Sequence, residues 1–334
     1  MPASWQLELA DAVRDPAELL RLLELDPALA SAGAAAAFPV RVPRGFVARM
    51  RKGDPADPLL RQVLASNAEL AAVPGFTTDP VGDLPSRRHP GVLHKYRNRV
   101  LLITTGACGV HCRYCFRRHF PYADESTHAR NLHATLDYLR ANPDVNEVIL
   151  SGGDPLSLND RQLSELVEAL QAIPNIKRLR LHTRQPVVLP SRVDAALLDW
   201  LTACRLQKVV VLHVNHAQEL DDSVAEACAR LRAAGAILFN QAVLLRGVND
   251  SVETLADLSE TLFAMGVTPY YLNLLDRVQG AAHFEVAETE ARELMRLLRT
   301  RLPGYLMPRL VRETAGAPAK TPVPDAAEPL APRA

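Results

Sequence analysis

The stretch RVLLITTGACGVHCRYCFRR, residues 99–118, decides how this chain is read. Its first half, Val100–Thr104, is a short run of apolar and β-branched residues, the composition of a strand buried on both faces. Its second half sets Cys108, Cys112 and Cys115 in a C-x3-C-x2-C array on the loop that follows. Loops after parallel strands are where α/β folds gather their chemistry. Three thiolates can hold three irons of a [4Fe–4S] cube and leave the fourth without a protein ligand, open to a small molecule. The competing reading is a zinc-binding scaffold without catalysis, with His111 or His119 as a fourth ligand.

Outward from this stretch, apolar runs recur at Val148–Leu150, Leu179–His182, Val209–Val214, Ile237–Val243 and Tyr270–Leu275. Between them, Gln162–Ile173, Ala195–Ala203, Val224–Ala234 and Val252–Met265 repeat apolar residues at i, i+3 and i+4, and a last helix is expected over Glu288–Arg301. Short apolar strands alternating with helices predict an α/β fold on a parallel sheet. Six strands can curl into a partial (β/α)6 barrel, and periodicity alone does not separate that from an open doubly wound sheet.

Residues 1–75 read as helical. Asp15 has the position of an N-cap, with Pro16 first in the helix, Glu18 three residues after the cap, and Leu19, Leu20, Leu22 and Leu23 following. We divide the chain into an N-terminal helical region (1–90), a core (91–287) and a C-terminal helix with a tail (288–334). From Ala315 the tail is rich in proline and alanine, a composition that predicts disorder.

At 334 residues and 48% hydrophobic, the chain can bury one large core. Lys plus Arg and Asp plus Glu both number 38, which gives no electrostatic footprint for nucleic acid or a membrane surface. No signal peptide or membrane-spanning run is expected. Five cysteines, three of them within eight residues, fit a reducing cytoplasm better than a secreted disulfide framework.

An aromatic residue, Tyr114, precedes the last cysteine, and the array so completed resembles the radical S-adenosylmethionine (SAM) signature. The resemblance implies that SAM chelates the open iron and is cleaved by one electron to a 5′-deoxyadenosyl radical. It further implies that Gly152, Gly153 and Asp154 in SGGDPL meet SAM. Taken alone, that segment reads as a strand-to-helix turn capped by Asp154.

HKYRNRVLLITT (94–105), CGVHCRYCFRR (108–118), SGGDPLSL (151–158), HTRQPVVLPSR (182–192), NQAVLLRGVND (240–250), PYYLNLLD (269–276) and AGAPAKTPV (315–323) together resemble the lysine 2,3-aminomutase family. This implies that Lys320 bonds pyridoxal phosphate (PLP) as a Schiff base, with Arg99 on the PLP phosphate and Tyr96 nearby. Arg184 and Gln241 would face the cofactors. Arg117 would pair with the substrate carboxylate, for which its forked donors suit. Asp276 and Glu313 would hold the distal ammonium of L-lysine; Glu313 stands where the lysine enzymes have an aspartate. Two carboxylates favour lysine over glutamate; the alternative is the same chemistry on glutamate or another amino acid.

Only 14 residues follow Lys320, so the cysteine-bearing zinc segment of the clostridial-type enzymes is not expected. The short form resembles the bacterial aminomutases that supply (R)-β-lysine for modifying elongation factor P. The implied reaction is a 1,2-amino shift. The implied partners are a reductase or flavodoxin-type electron donor and, functionally, the elongation factor P ligase.

Overall fold

The computed structural model describes residues 3–122 and 131–324. One ten-stranded sheet organises it. Strands β1 (Arg87–His89) and β2 (Val92–Tyr96) run antiparallel into β3 (Arg99–Thr105). Next come β4 (Glu147–Gly152), β5 (Arg178–Thr183), β6 (Gln207–Leu212), β7 (Ala236–Val243) and β8 (Thr268–Asn273), each parallel to the one before. At the far edge β9 (Arg309–Arg312) is parallel to β8, and β10 (Thr321–Pro322) is antiparallel to β9.

Helices Leu132–Ala141, Asp160–Gln171, Ala195–Ala203, Asp222–Ala233, Val252–Ala264 and Glu288–Arg299 follow β3 to β8 in turn. The strand order never reverses. A doubly wound sheet must reverse at its switch point, so the winding is that of a partial (β/α)6 barrel. Local sequence sets the helix starts: the side chains of Asn159, Asp194, Asp221 and Ser251 accept N–H groups of Gln162, Leu197, Val224 and Thr254. No described helix is long and apolar enough to cross a membrane.

Strand alternation sorts the side chains. Val148, Leu150, Leu179, Leu181, Leu238, Ala242 and Leu272 join the core under the helices. Their neighbours Ser151, His182, Gln241 and Asn273 therefore face the lumen. The N-terminal layer has its own core of Leu19, Leu20, Phe46, Leu59, Leu60 and others, continuous with Val110 of the cysteine loop and with Val188 and Leu189. Within it, Asp15 accepts the Ala17 N–H at 2.9 Å and Pro16 opens the helix Pro16–Leu22.

The expectation of a disordered tail from Ala315 is corrected for its first ten residues. Thr321 and Pro322 pair with Arg312 and Val311, and Val323 is buried in the main core. Backbone pairing at a sheet edge and one anchored apolar side chain override composition there. The remainder, 325–334, lies outside the described residues.

Candidate active site

The cysteine loop is held from two sides. From the N-terminal layer, Glu69 accepts Arg113 Nε and Nη2 at 2.9 and 2.6 Å and Arg118 Nη2 at 2.8 Å, all in buried surroundings. From β4, Gly153 N and Asp154 N donate to the carbonyls of Thr105 and Ala107, both at 2.7 Å. The two glycines make this approach possible. Gly152 has φ of +122°, and a Cβ there would lie 2.6 Å from the Thr105 carbonyl oxygen. A Cβ on Gly153 would collide with the Ala107 carbonyl.

Cys108, Cys112 and Cys115 are free and half-buried. Burial, then the charge on Cys115, pushes the Cys108 thiol well above its ordinary value. Burial, then Cys112, pushes Cys115 up to about 11. Cys108 and Cys115 each feel the charge of neighbouring cysteines, so the three side chains stand close enough to share one cationic group. Such a donor set fits an iron–sulfur cluster. Among the described residues no three His, Cys, Asp or Glu side chains close in as they do around a single ion; thiols around a four-iron cube stand further apart. Both histidines of the zinc reading face backbone carbonyls, His111 Nδ1 at 2.8 Å from Pro39 O and His119 Nε2 at 3.2 Å from Gln279 O.

Beneath the loop lies a buried polar network. Arg184 Nη1 donates to Cys112 Sγ at 2.9 Å and to the Tyr114 hydroxyl at 2.8 Å. Its Nη2 donates to Gln62 Oε1 at 2.7 Å and to Glu219 Oε2 at 2.8 Å. Asn215 Nδ2 donates to Gln62 Oε1 and the Tyr114 hydroxyl. Asp154, expected at the SAM site, has its carboxylate taken by Leu156 N, Thr183 Oγ1, Arg184 N and Gln185 N. It ties the end of β4 to the end of β5, the geometry of a capped turn.

On the other side of the lumen stands Lys320. Its ammonium donates to Asn273 Oδ1 at 2.9 Å and lies 3.3 Å from Glu313 Oε2 and 5.7 Å from the Tyr271 ring centroid. Tyr96 donates its hydroxyl to Glu313 Oε1 at 2.7 Å. Arg99 stacks its guanidinium 4.3 Å from the Tyr96 ring centroid, and among the described residues it has no carboxylate partner. Arg117 is buried; its Nε donates to Asp83 Oδ2 at 2.7 Å and its Nη1 to Ser151 Oγ at 3.3 Å. Lys95 bridges Asp83 Oδ1 at 2.7 Å and Glu313 Oε1 at 3.6 Å. Burial opposes ionisation of Asp83, but Arg117 and Lys95 outweigh it and hold the carboxyl below its ordinary value.

Asp276 belongs to the same array. Burial pushes its carboxyl up to about 7; Lys320 and Lys95 pull it down, while Glu313 and Asp83 push it further up. A carboxyl raised by burial among other charged groups is a mark of functional sites. The chemistry of the pocket fits PLP as well: a lysine nucleophile, an arginine without an acidic partner, and a tyrosine hydroxyl lie together.

The structure thus brings Tyr96, Arg99, Arg117, Asp276, Glu313 and Lys320 to one side of the lumen, with Gln241 facing into it from β7. Arg184 lies under the cysteine loop instead. Sequence reasoning missed Asp83 and Lys95 in the charged array, and Gln62, Glu69, Asn215 and Glu219 in the frame. The HKYR motif contained Lys95 in plain view. The others sit in loops or in and beside one-turn helices too short to carry a periodic signal.

Comparison with known proteins identifies the family. Residues 102–259 match the Radical SAM superfamily. The chain is 53% identical over 96% of its length, and 94% of the relative's, to an L-lysine 2,3-aminomutase of Escherichia coli. It is 45% identical to that of Haemophilus influenzae, over 95% of each chain. The Clostridium subterminale protein of the same description is 35% identical over 83% of this chain and 67% of its own. Among solved structures, a radical SAM methyltransferase from Sphaerobacter thermophilus has a TM-score of 0.47 and 19% identity, covering 66% of this chain and 68% of that one. With relatives this similar along nearly its whole length, the chain belongs to the L-lysine 2,3-aminomutase family of radical SAM enzymes, a family of isomerases.

Proposed function

We propose that the protein converts L-α-lysine to (R)-β-lysine by a 1,2-amino shift, with PLP on Lys320, and that the product serves the modification of elongation factor P. The observation that carries the lysine reading is one arrangement: a guanidinium at Arg117 and two carboxylates at Asp276 and Glu313 face the lumen beside Lys320. An α-carboxylate and a distal ammonium are the groups such an array complements. The ammonium of Lys320 already rests on Glu313 and Asn273, so a lysine-type cation is accommodated there.

Cys108, Cys112 and Cys115 would hold the [4Fe–4S] cluster, and Lys320, Tyr96 and Arg99 would hold PLP. When bound, the cluster with SAM supplies a carbon radical, and PLP supplies a conjugated system that carries the migrating nitrogen. The protein's own share is placement. Asp83 fixes Nε of Arg117 and so aims the guanidinium. Ionised Asp276 and Glu313 receive the distal ammonium. The N-terminal layer packs on the cysteine loop and fixes its arginines through Glu69. A low-potential one-electron donor, such as a reduced flavodoxin, would serve the cluster.

The decisive experiment is anaerobic reconstitution with iron, sulfide, SAM and PLP, followed by product analysis with labelled L-lysine. β-Lysine is the expected product. Its absence from protein carrying all the cofactors refutes the reading, and turnover of glutamate instead would reassign the substrate. The elongation factor P link is tested separately, by asking whether loss of the protein leaves that factor unmodified in cells.

A further inference from the structure

The arginines near the three cysteines are used in different ways. Arg113 and Arg118 are directed to the Glu69 carboxylate, and Arg117 to Asp83. Arg184 instead donates Nη1 to a thiol sulfur, Cys112 Sγ, at 2.9 Å. Its Nε is buried and has no hydrogen-bond partner among the described residues. An N–H held out of water without an acceptor costs free energy, unless a group bound in the finished protein accepts it.

Behind Arg184 stands one counter-charge, Glu219, completely buried, with its Oε2 on Arg184 Nη2 at 2.8 Å. Its Oε1 accepts Asn215 N at 2.9 Å, His216 N at 3.1 Å and Gln62 Nε2 at 3.1 Å, so the carboxylate cannot turn away. Gln62, from the N-terminal layer, joins the two by accepting from Arg184 Nη2. The sequence Cys112–Arg184–Glu219 is therefore a fixed line of sulfur, cation and anion in a medium of low dielectric.

We propose that Arg184 and Glu219 set the reduction potential of the cluster in opposite directions, and that the N-terminal layer fixes their geometry through Gln62. The step concerned is the uptake of one electron, from a low-potential one-electron donor, that takes the cluster from the 2+ to the 1+ state. The reduced cluster is the more negative. A cation donating a hydrogen bond to its thiolate stabilises the reduced state, and an anion behind that cation weakens the effect. Arg184 and Glu219 are positioning and tuning groups that need not touch the amino acid. The proposal rests on the cluster at the three cysteines and is independent of which amino acid is rearranged.

The test is an anaerobic redox titration of the reconstituted holoenzyme, followed by the electron paramagnetic resonance signal of the reduced cluster. Iron and sulfide are quantified in each sample, which keeps failure of the cluster reading distinct from failure of the proposal. At fixed solution potential, Arg184→Gln is expected to lower the reduced-to-oxidised ratio at least tenfold, or 59 mV for a one-electron couple. Arg184→Lys, which keeps the charge, is expected to recover most of that ratio, and Glu219→Gln to raise it above wild type. Wild-type potentials in Arg184→Gln and Glu219→Gln at full iron content would overturn the proposal. So would shifts of the same sign in both, or an Arg184→Lys potential equal to that of Arg184→Gln. If Arg184→Gln fails to hold iron, the Lys and Glu219 variants decide by the same criteria. Loss of iron from all three would make the network an assembly element, and that too overturns the proposal.

Discussion

The charged network beneath the cysteine loop is buried and its members are fixed on one another, whereas the one around Lys320 is an array of exchangeable charges. In the first, Arg184 is fixed by Cys112, Tyr114, Gln62 and Glu219, and Arg113 by Glu69. In the second, Lys95 and Lys320 face Glu313 and Asp276 around the fixed Arg117–Asp83 pair, and longer contacts such as Lys320 with Glu313 at 3.3 Å can be traded for others. The first network acts as a frame for a group that must not move. On the proposed function the second is a receptor, where a zwitterion with an extra ammonium would take over partners that the protein's own side chains hold meanwhile.

The largest expected effect is on the receptor side. Lys320→Ala should leave no detectable β-lysine and no PLP absorbance, while iron and sulfide stay at wild-type content. A variant that retained PLP at full occupancy would remove Lys320 from its assigned role. On the frame side, Glu69→Gln leaves Arg113 and Arg118 buried opposite a neutral amide. Breaking such a pair costs about 3–5 kcal/mol, which chemical denaturation would read as a lower midpoint. A change below about 1 kcal/mol would erase the distinction between frame and receptor.

Asp276→Asn should weaken kcat/KM for lysine roughly 10- to 150-fold, the value of about 1.5–3 kcal/mol for a hydrogen bond to a charged group. The pH dependence follows from its carboxyl lying at about 7. Only the ionised form receives an ammonium, so kcat/KM should rise with pH up to about 7 and then level. The Asn variant should lack that limb. The linkage to stability has the opposite sense. A folded-state value raised from 3.8 means that the folded protein holds the proton more tightly. The carboxyl therefore destabilises the cofactor-free fold progressively as pH rises from about 4 to 7, and Asp276→Asn should melt higher than wild type at pH 8 but not at pH 4. The smallest effect expected is for Tyr96→Phe, which removes one hydrogen bond to Glu313. A loss of about 0.5–1.5 kcal/mol, or roughly 2- to 13-fold in KM, should result.

The six barrel strands were legible because most are short apolar runs between helices that carry their own period, whereas the flanking β1, β2, β9 and β10 were not read from the sequence. Val100–Thr104 and Ala195–Ala203 signal themselves without reference to anything distant. The cysteines were legible because their spacing is local. The partners of those residues were not. Glu69 reaches Arg113 across 44 residues, and Gln62 reaches Arg184 across 122, each from a segment without periodicity. Asp83 and Lys95 acquire meaning only when Arg117 and Glu313 are beside them. The tail misled for a related reason: pairing of Thr321–Pro322 with β9 depends on an edge that composition cannot see.

The ten-stranded sheet has two ends, and among the described residues β1 and β10 do not pair with each other. Tyr96 and Lys95, on β2, meet Glu313, just after β9, through side chains. Backbone closure between the flanking segments is confined to the short bridge of Thr77 with Val278. In mechanical terms the barrel is a split ring, and Lys320 sits at the slit. Stiffness across that slit comes from a phenol, an ammonium and a carboxylate rather than from a ladder of amides. Salt and pH can therefore soften the ring at one place while leaving its circumference intact.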